Sequence, residues 1–257
     1  MTLPEQFVAF QTILIREIRR FSRIWIQTIL PAMITTALYF VIFGNLIGKQ
    51  IGDMDGYRYI DYISPGLILM SIITNSYANV VSSFYSAKFQ RNIEEMLVSP
   101  VPNYVILLGF VGGGVARGMS CGIAVTVVAM FFSNTGIENF LVVLSIALLT
   151  AILFSLCGFI NAVFAKSFDD ISIVPTFVLT PLTYLGGIFY TISVLPEFWQ
   201  KVSLVNPILY MVNAFRYGVL GTSDINVITS YIIILIFIVA LFVFSLFLLE
   251  KGHGIRK

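Results

Sequence analysis

Apolar residues in this chain come in long blocks rather than on alternating faces. The blocks fall at about 24–47, 65–85, 104–132, 140–164, 172–192 and 227–249. Each is near the ~20 residues that a helix needs to cross a bilayer. The pattern predicts an all-α membrane protein with six transmembrane helices. Polar segments separate the blocks: GKQIGDMDGYRYID after the first, KFQRNIEEMLVSPVP (88–102) after the second, SNTGIEN after the third and AKSFDD after the fourth. The stretch ISVLPEFWQKVSLVNP is too polar and too rich in proline to cross, and the short apolar piece at 208–220 reads as re-entrant or interfacial.

Ahead of the first block, residues 1–23 carry a different pattern. Phe7, Phe10, Leu14, Ile18 and Phe21 recur at helical spacing, while Gln11, Arg16, Arg19, Arg20 and Arg23 gather on another side or at the end. An apolar stripe with a basic flank predicts a helix lying in the membrane interface, or else the charged start of the first span. Arg16, Glu17, Arg19 and Arg20 interrupt the first apolar stretch, and no small-residue cleavage pattern follows, so it is not read as a cleavable signal peptide.

Composition agrees with the blocks. Hydrophobic residues make up 58% of the 257 positions and charged residues only 11%, where soluble domains carry about a quarter. Mean hydropathy is +0.94. The formal net charge of +2 gives no reason to expect a nucleic-acid partner. Placement of the charges is more informative. Arg16, Arg19, Arg20, Arg23, Lys88, Arg91, Lys166, Lys251, Arg256 and Lys257 fall on the side of the termini, against Lys49, Arg58, Lys201 and Arg216 on the other. The positive-inside rule then predicts cytoplasmic termini.

Segment 88–99 has its own chemistry. Phe89, Ile93, Met96 and Leu97 stand at i, i+4, i+7 and i+8, which puts them on one face of a short helix. Arg91, Asn92, Glu94 and Glu95 take the other sides, and Pro100 and Pro102 stop the helix. Such a helix is costly to hold in water without a packing partner. It reads as a docking element; the plainer account is a solvated loop.

Within the spans, Arg117 lies about 13 residues into the third block, roughly 20 Å along a helix and near the bilayer middle. A charge there costs about 3 kcal/mol on insertion scales and must face protein or water. It either attracts anions in a translocation path or bonds to neighbouring helices. Ser71, Asn75, Asn79 and Ser82 form a polar stripe on the second span, of which Asn75 and Asn79 are the better pathway candidates. Thr176, Thr180 and Thr183 are read as hydrogen-bonding groups that answer carbonyls freed by Pro175 and Pro181. Gly109, Gly113, Gly114, Gly118 and Gly122 have the spacing of close helix packing, within a subunit or between two. Cys121 and Cys157 are packing residues, Asp169 and Asp170 favour a helix start, and His253 receives no role. GNLIGKQ (44–50) is one residue short of a phosphate-binding loop and lacks the following Ser or Thr, and GGGVARG (112–118) lacks the lysine. No nucleotide or metal site is predicted.

The second span, QRNIEEMLVSPVP and the third span together resemble the permease subunits of the ABC-2 family of ATP-binding-cassette exporters. PTFVLTPLTYLGGIFYTISVLPEFWQKVSLVNPILYMVNAFRYG (175–218) is similar to that family's C-terminal signature, with Leu195–Pro196, Asn206–Pro207, Tyr210 and Arg216 at its marked positions. The resemblance spans essentially the whole chain and is closest to bacterial inner-membrane permeases. It implies one transmembrane domain, 1–257, with an interfacial helix at 1–23, a cytoplasmic coupling helix at 88–99 and an external re-entrant hairpin at 193–220. It further implies a homodimer among membrane lipids, docked on two copies of a separate ATPase that binds ATP and Mg. On that reading Arg91, Glu94 and Glu95 contact the ATPase, and Phe89, Ile93 and Leu97 seat the coupling helix. Pro196, Trp199, Asn206, Pro207 and Arg216 belong to the hairpin.

Two other classes compete. An ion-coupled secondary transporter acting without an ATPase would show paired intramembrane carboxylates or interrupted helices in matched halves. A membrane-embedded enzyme would show a second acidic or histidine cluster on one side. Neither pattern is found in the sequence.

Overall fold

The computed structural model describes residues 1–134 and 136–252. His253, Arg256, Lys257 and the Lys49 side chain lie outside the described residues. Helices α1 (Leu3–Arg23) and α2 (Trp25–Tyr39) come first, and α2 runs on as a widened π-helical stretch, Phe40–Ile47. After α3 (Gly48–Ile51), β1 (Asp53–Met54) and β2 (Tyr57–Arg58) pair antiparallel. Then follow α4 (Tyr59–Phe89), α5 (Asn92–Val98), α6 (Asn103–Phe132) and α7 (Phe140–Phe164). The last third holds α8 (Asp170–Val174), α9 (Thr180–Tyr184), α10 (Glu197–Leu204), α11 (Pro207–Leu220) and α12 (Val227–Lys251).

Among the described residues five helices are long and apolar enough to cross a membrane: Trp25–Gly44, α4, α6, α7 and α12. The expected span at 172–192 differs. It is three contiguous helical pieces of five residues each, α8, a π turn at Pro175–Leu179, and α9. At 1.5 Å per residue this reaches about 22 Å, short of the ~30 Å hydrocarbon core. The cause is local. Pro181 has no N–H for the carbonyl one turn back, and the preceding turn widens so that the Thr180 N–H reaches the Pro175 carbonyl. The Thr180 hydroxyl donates to the same carbonyl at 2.9 Å, and the Thr183 hydroxyl donates to the Thr180 carbonyl at 2.7 Å.

α4 is the central helix, with 78% of its most apolar window buried, against 17% to 44% in the other four candidates. Small residues let α6 and α7 close on it. A Cβ on Gly118 would stand 1.9 Å from the Ser76 hydroxyl oxygen, and one on Gly158 would stand 2.5 Å from the Tyr77 carbonyl oxygen. On the other side of α6, Gly109 and Gly113 receive Ile13 and Glu17 of α1. The glycine series therefore packs helices within one chain.

The inner face of α1 differs from the predicted stripe. Ile13, Glu17 and Phe21 are its buried residues, while Phe7 is 59% exposed. Because Tyr104 bonds Gln6, Ile13 meets Gly109 and Glu17 meets Gly113, α1 runs alongside α6 in the same direction.

Candidate functional site

Three groups of predicted residues occupy three parts of the molecule, and α4 touches all of them. At one end of α4, α5 is shorter than its apolar spacing predicted. Arg91 adopts a left-handed conformation (φ 63°) that breaks the helix after Gln90. Phe89 therefore closes α4 instead of joining Ile93 and Leu97. It is 66% exposed and meets Phe168 edge-on at 5.2 Å. Ile93 is wholly buried, Leu97 is half-buried, and Arg91, Glu94 and Glu95 are exposed. The segment is fastened from its start, because Lys88 Nζ donates to the carbonyls of Val163 and Ala165 at 2.6 and 2.7 Å, closing the end of α7. In the adjoining loop, Asp170 accepts the backbone N–H groups of Lys166 and Ser167 at 2.8 and 3.1 Å. These bonds, that of Lys166 foremost, hold its carboxyl below the usual carboxylate range.

Toward the middle of α4, the polar stripe meets a charged group at each successive turn. Asn75 Oδ1 accepts from Arg117 at 3.3 Å. Asn79 offers both Oδ1 and its backbone oxygen to Arg20, at 2.8 and 3.0 Å. The Ser83 hydroxyl donates to Glu17 at 2.5 Å. The ladder is thus Ser71, Asn75, Asn79 and Ser83, at a strict i, i+4 spacing. Ser82 lies off it and donates to its own helix at Ala78. Glu17, which apolar periodicity does not mark as a site residue, is 1% exposed and lies within 3.3 Å of Arg16 and 3.2 Å of Arg20. Its position four residues from both Ile13 and Phe21 carries the signal, since a residue at that spacing must share their inner face.

A cavity of about 330 Å³ opens beside this ladder between α2, α4 and α6. Arg117 and Asn75 line it together with Ser71, Thr36 and Gln27, and Pro31, Leu67 and Met70 supply apolar wall. Asn79 is not part of its lining. The Asn75 amide nitrogen donates to the Ser71 carbonyl at 3.0 Å, which turns its oxygen toward Arg117.

At the other end of α4, Asp55 and Gly56 both take positive φ, 51° and 82°, and close the β1–β2 turn. The Tyr57 hydroxyl donates to the Leu220 carbonyl at 2.6 Å and that of Tyr59 to the Phe189 carbonyl at 3.1 Å. These bonds join the turn to the region around α10 and α11. Within it, Asn206 caps α11: its oxygen accepts the Ile208 N–H at 3.0 Å and its amide donates to the Leu182 carbonyl at 2.6 Å. Pro207 takes the first helical position, where its missing N–H removes no bond. Pro196 precedes α10, on which Trp199 and Phe198 are exposed and meet edge-on at 5.4 Å. Arg216 is 1% exposed, lies 4.0 Å over the Tyr62 ring and donates to the Gly187 carbonyl at 2.6 Å.

Among the described residues no group of three or more His, Cys, Asp or Glu is placed to hold a metal ion. The described chemistry is that of helix packing, hydrogen bonding and charge.

The family model described as ABC-2 type transporter matches residues 8–220. The chain is 56% identical over 251 residues to "Inner membrane transport permease YadH" of Escherichia coli K12, covering 98% of each. It is 24% identical over 251 residues to "Nodulation protein J" of Rhizobium leguminosarum bv. viciae, covering 97% of each. To "Nodulation protein J" of Rhizobium meliloti it is 25% identical, covering 80% of this chain and 79% of that one. With a family model over most of its length and a near full-length relative, this chain belongs to the ABC-2 type transporter family.

Proposed function

We propose that this chain is the permease subunit of an exporter in a bacterial inner membrane, with both termini cytoplasmic, working as a pair of copies on two copies of a separate ATPase. Family membership and the name of the 56% identical relative support the transport role and the inner-membrane location. One observation carries the coupling. The α5 segment buries Ile93 against its own domain and turns Arg91, Glu94 and Glu95 outward, directly after the central helix.

A push on α5 enters α4 within a few residues. From there the Ser83–Asn79–Asn75 ladder carries it past α1 to Arg117 and the cavity. ATP binding to the partner would then favour one of two arrangements of α4, and work enters as the difference in ATP affinity between them. In this reading α1 lies at the cytoplasmic interface and α8–α9 completes a sixth crossing together with the turns after it. The α10–α11 hairpin gates the external side. Substrate leaves by a path that includes Asn75 and Arg117, beside which Asn79 holds α1 through Arg20.

Affinity purification from native membranes tests this. The wild-type chain should bring an ATPase with it, and the chain carrying Glu94→Ala and Glu95→Ala should bring much less. Absence of any ATPase after cross-linking in mild detergent would remove the basis of the coupling role and favour an ion-coupled transporter working alone.

A further inference from the structure

The 330 Å³ cavity between α2, α4 and α6 has a chemical asymmetry that identifies a class of ligand. Its one charged lining residue is Arg117, and no carboxylate lines it among the described residues. Arg117 reaches Asn75 through one nitrogen, while its Nε is buried without a hydrogen-bond partner. Glu17, the nearby buried acid of α1, is occupied by Arg16, Arg20 and Ser83. One turn above Asn75, the buried Ser71 hydroxyl also lacks a partner and lines the same cavity.

A guanidinium in low dielectric without a counter-charge is costly, and a ligand anion would offset that cost directly. Apart from the neutral Gln27 amide, the rest of the wall is apolar or hydroxyl-bearing. Its outer side is α2, whose most apolar window is only 17% buried within the chain, so that wall presents apolar side chains outward. The volume falls at the small end of the range for ligand pockets.

We infer that this cavity binds an amphiphile with a single anionic group, the charge resting on Arg117, Asn75 and Ser71 and the alkyl part lying along Pro31, Leu67 and Met70. This rests on the transport-path reading of Arg117. The ligand has two possible sources, an acidic phospholipid of the bilayer or a transported amphiphile, with the same headgroup chemistry.

The test is equilibrium binding of radiolabelled dodecyl phosphate, below its micelle concentration, to the full chain purified in a neutral maltoside. Saturable binding at one site per chain is expected, at least tenfold weaker in Arg117→Gln. Because Arg117→Gln disturbs a packed helix, two further variants accompany it. Gln27→Glu places a carboxylate on an exposed lining position to compete for Arg117, and Ala78→Phe fills the cavity while leaving Arg117 intact. Both should weaken binding as well.

Native mass spectrometry separates the sources. Acidic phospholipid retained by the wild type and lost in Arg117→Gln identifies the bilayer; saturable dodecyl phosphate binding without retained lipid identifies a transported amphiphile. Equal binding by wild type and all three variants overturns the inference, as does equally tight binding of dodecyltrimethylammonium. The assay contains no ATPase, so its failure leaves the coupling test untouched, and failure of copurification leaves this binding untouched.

Discussion

Arg20 of α1 grips Asn79 of α4 twice, donating to its side-chain oxygen at 2.8 Å and to its backbone oxygen at 3.0 Å. The same guanidinium lies 3.2 Å from the buried Glu17 carboxylate. It therefore does two things at once: it ties the N-terminal helix to the central one, and it balances a charge withdrawn from solvent.

Removing Arg20 should consequently cost more than an exposed ion pair would. Arg20→Ala leaves Glu17 with Arg16, which is itself about half exposed, and with the Ser83 hydroxyl. A loss of about 3 kcal/mol is expected from an under-compensated buried charge. Thermal unfolding in detergent, followed by labelling of the buried Cys121 thiol, measures it. Adding Glu17→Gln removes the charge and should restore more than half of the loss. A double variant no more stable than Arg20→Ala would mean that the charge is not what Arg20 serves.

The approach of α6 to α4 at Gly118 is equally specific. An alanine Cβ there would meet the Ser76 hydroxyl oxygen at 1.9 Å and the Ile72 carbonyl oxygen at 3.2 Å. Gly118→Ala should destabilise by about 2 kcal/mol, as overpacking of a filled core does. Ser76→Ala in that background removes the nearest atom and should recover most of the loss. The same unfolding assay decides the matter; no recovery would show that the backbone at Ile72 sets the limit.

The long blocks were legible in the sequence because lipid imposes one rule on every residue of a span, and α7 falls at the expected 140–164. The exceptions have particular causes. α4 extends from Tyr59 to Phe89, beyond the expected 65–85, because its polar ends are held by protein contacts at Asp61 and Lys88. α1 turned its stripe because Glu17 has partners on α4 and on its own helix, and a hydropathy pattern scores an acid as outward-facing. Asn75, Asn79 and Arg117 were visible as rare intramembrane polar groups, yet only tertiary packing divides them between a cavity and an α1 contact. The break at Arg91 was invisible, since its left-handed backbone carries no glycine to announce it.

Asn206 offers a third measurement, since its two bonds run in opposite directions. As cap it accepts from Ile208, and as donor it reaches Leu182, which joins the start of α11 to α9. Asn206→Ala should cost about 1–2 kcal/mol, a typical cap loss with an added buried contact. Asn206→Asp keeps the acceptor but turns a carboxylate toward the Leu182 carbonyl, so it should be no better than alanine. Hydrogen exchange at the Ile208 amide reads the effect locally. An aspartate variant that exchanges as slowly as wild type would show that the Leu182 bond contributes nothing.

Ile93 and Val98 separate the two faces of α5, because one is wholly buried and the other is 86% exposed. Ile93→Ala removes three carbons from a closed site and should lower stability by about 2–4 kcal/mol. Val98→Ala changes a residue with little to lose and should leave the unfolding midpoint where it was. The informative comparison is with Glu94→Ala and Glu95→Ala, both exposed and bonded among the described residues through the backbone only. If α5 serves a partner protein, those two substitutions leave stability unchanged and weaken ATPase capture, whereas Ile93→Ala weakens both together. Should the glutamate variants lose stability as well, α5 would be an internal brace of the fold, and a role in coupling would have to be sought on another surface.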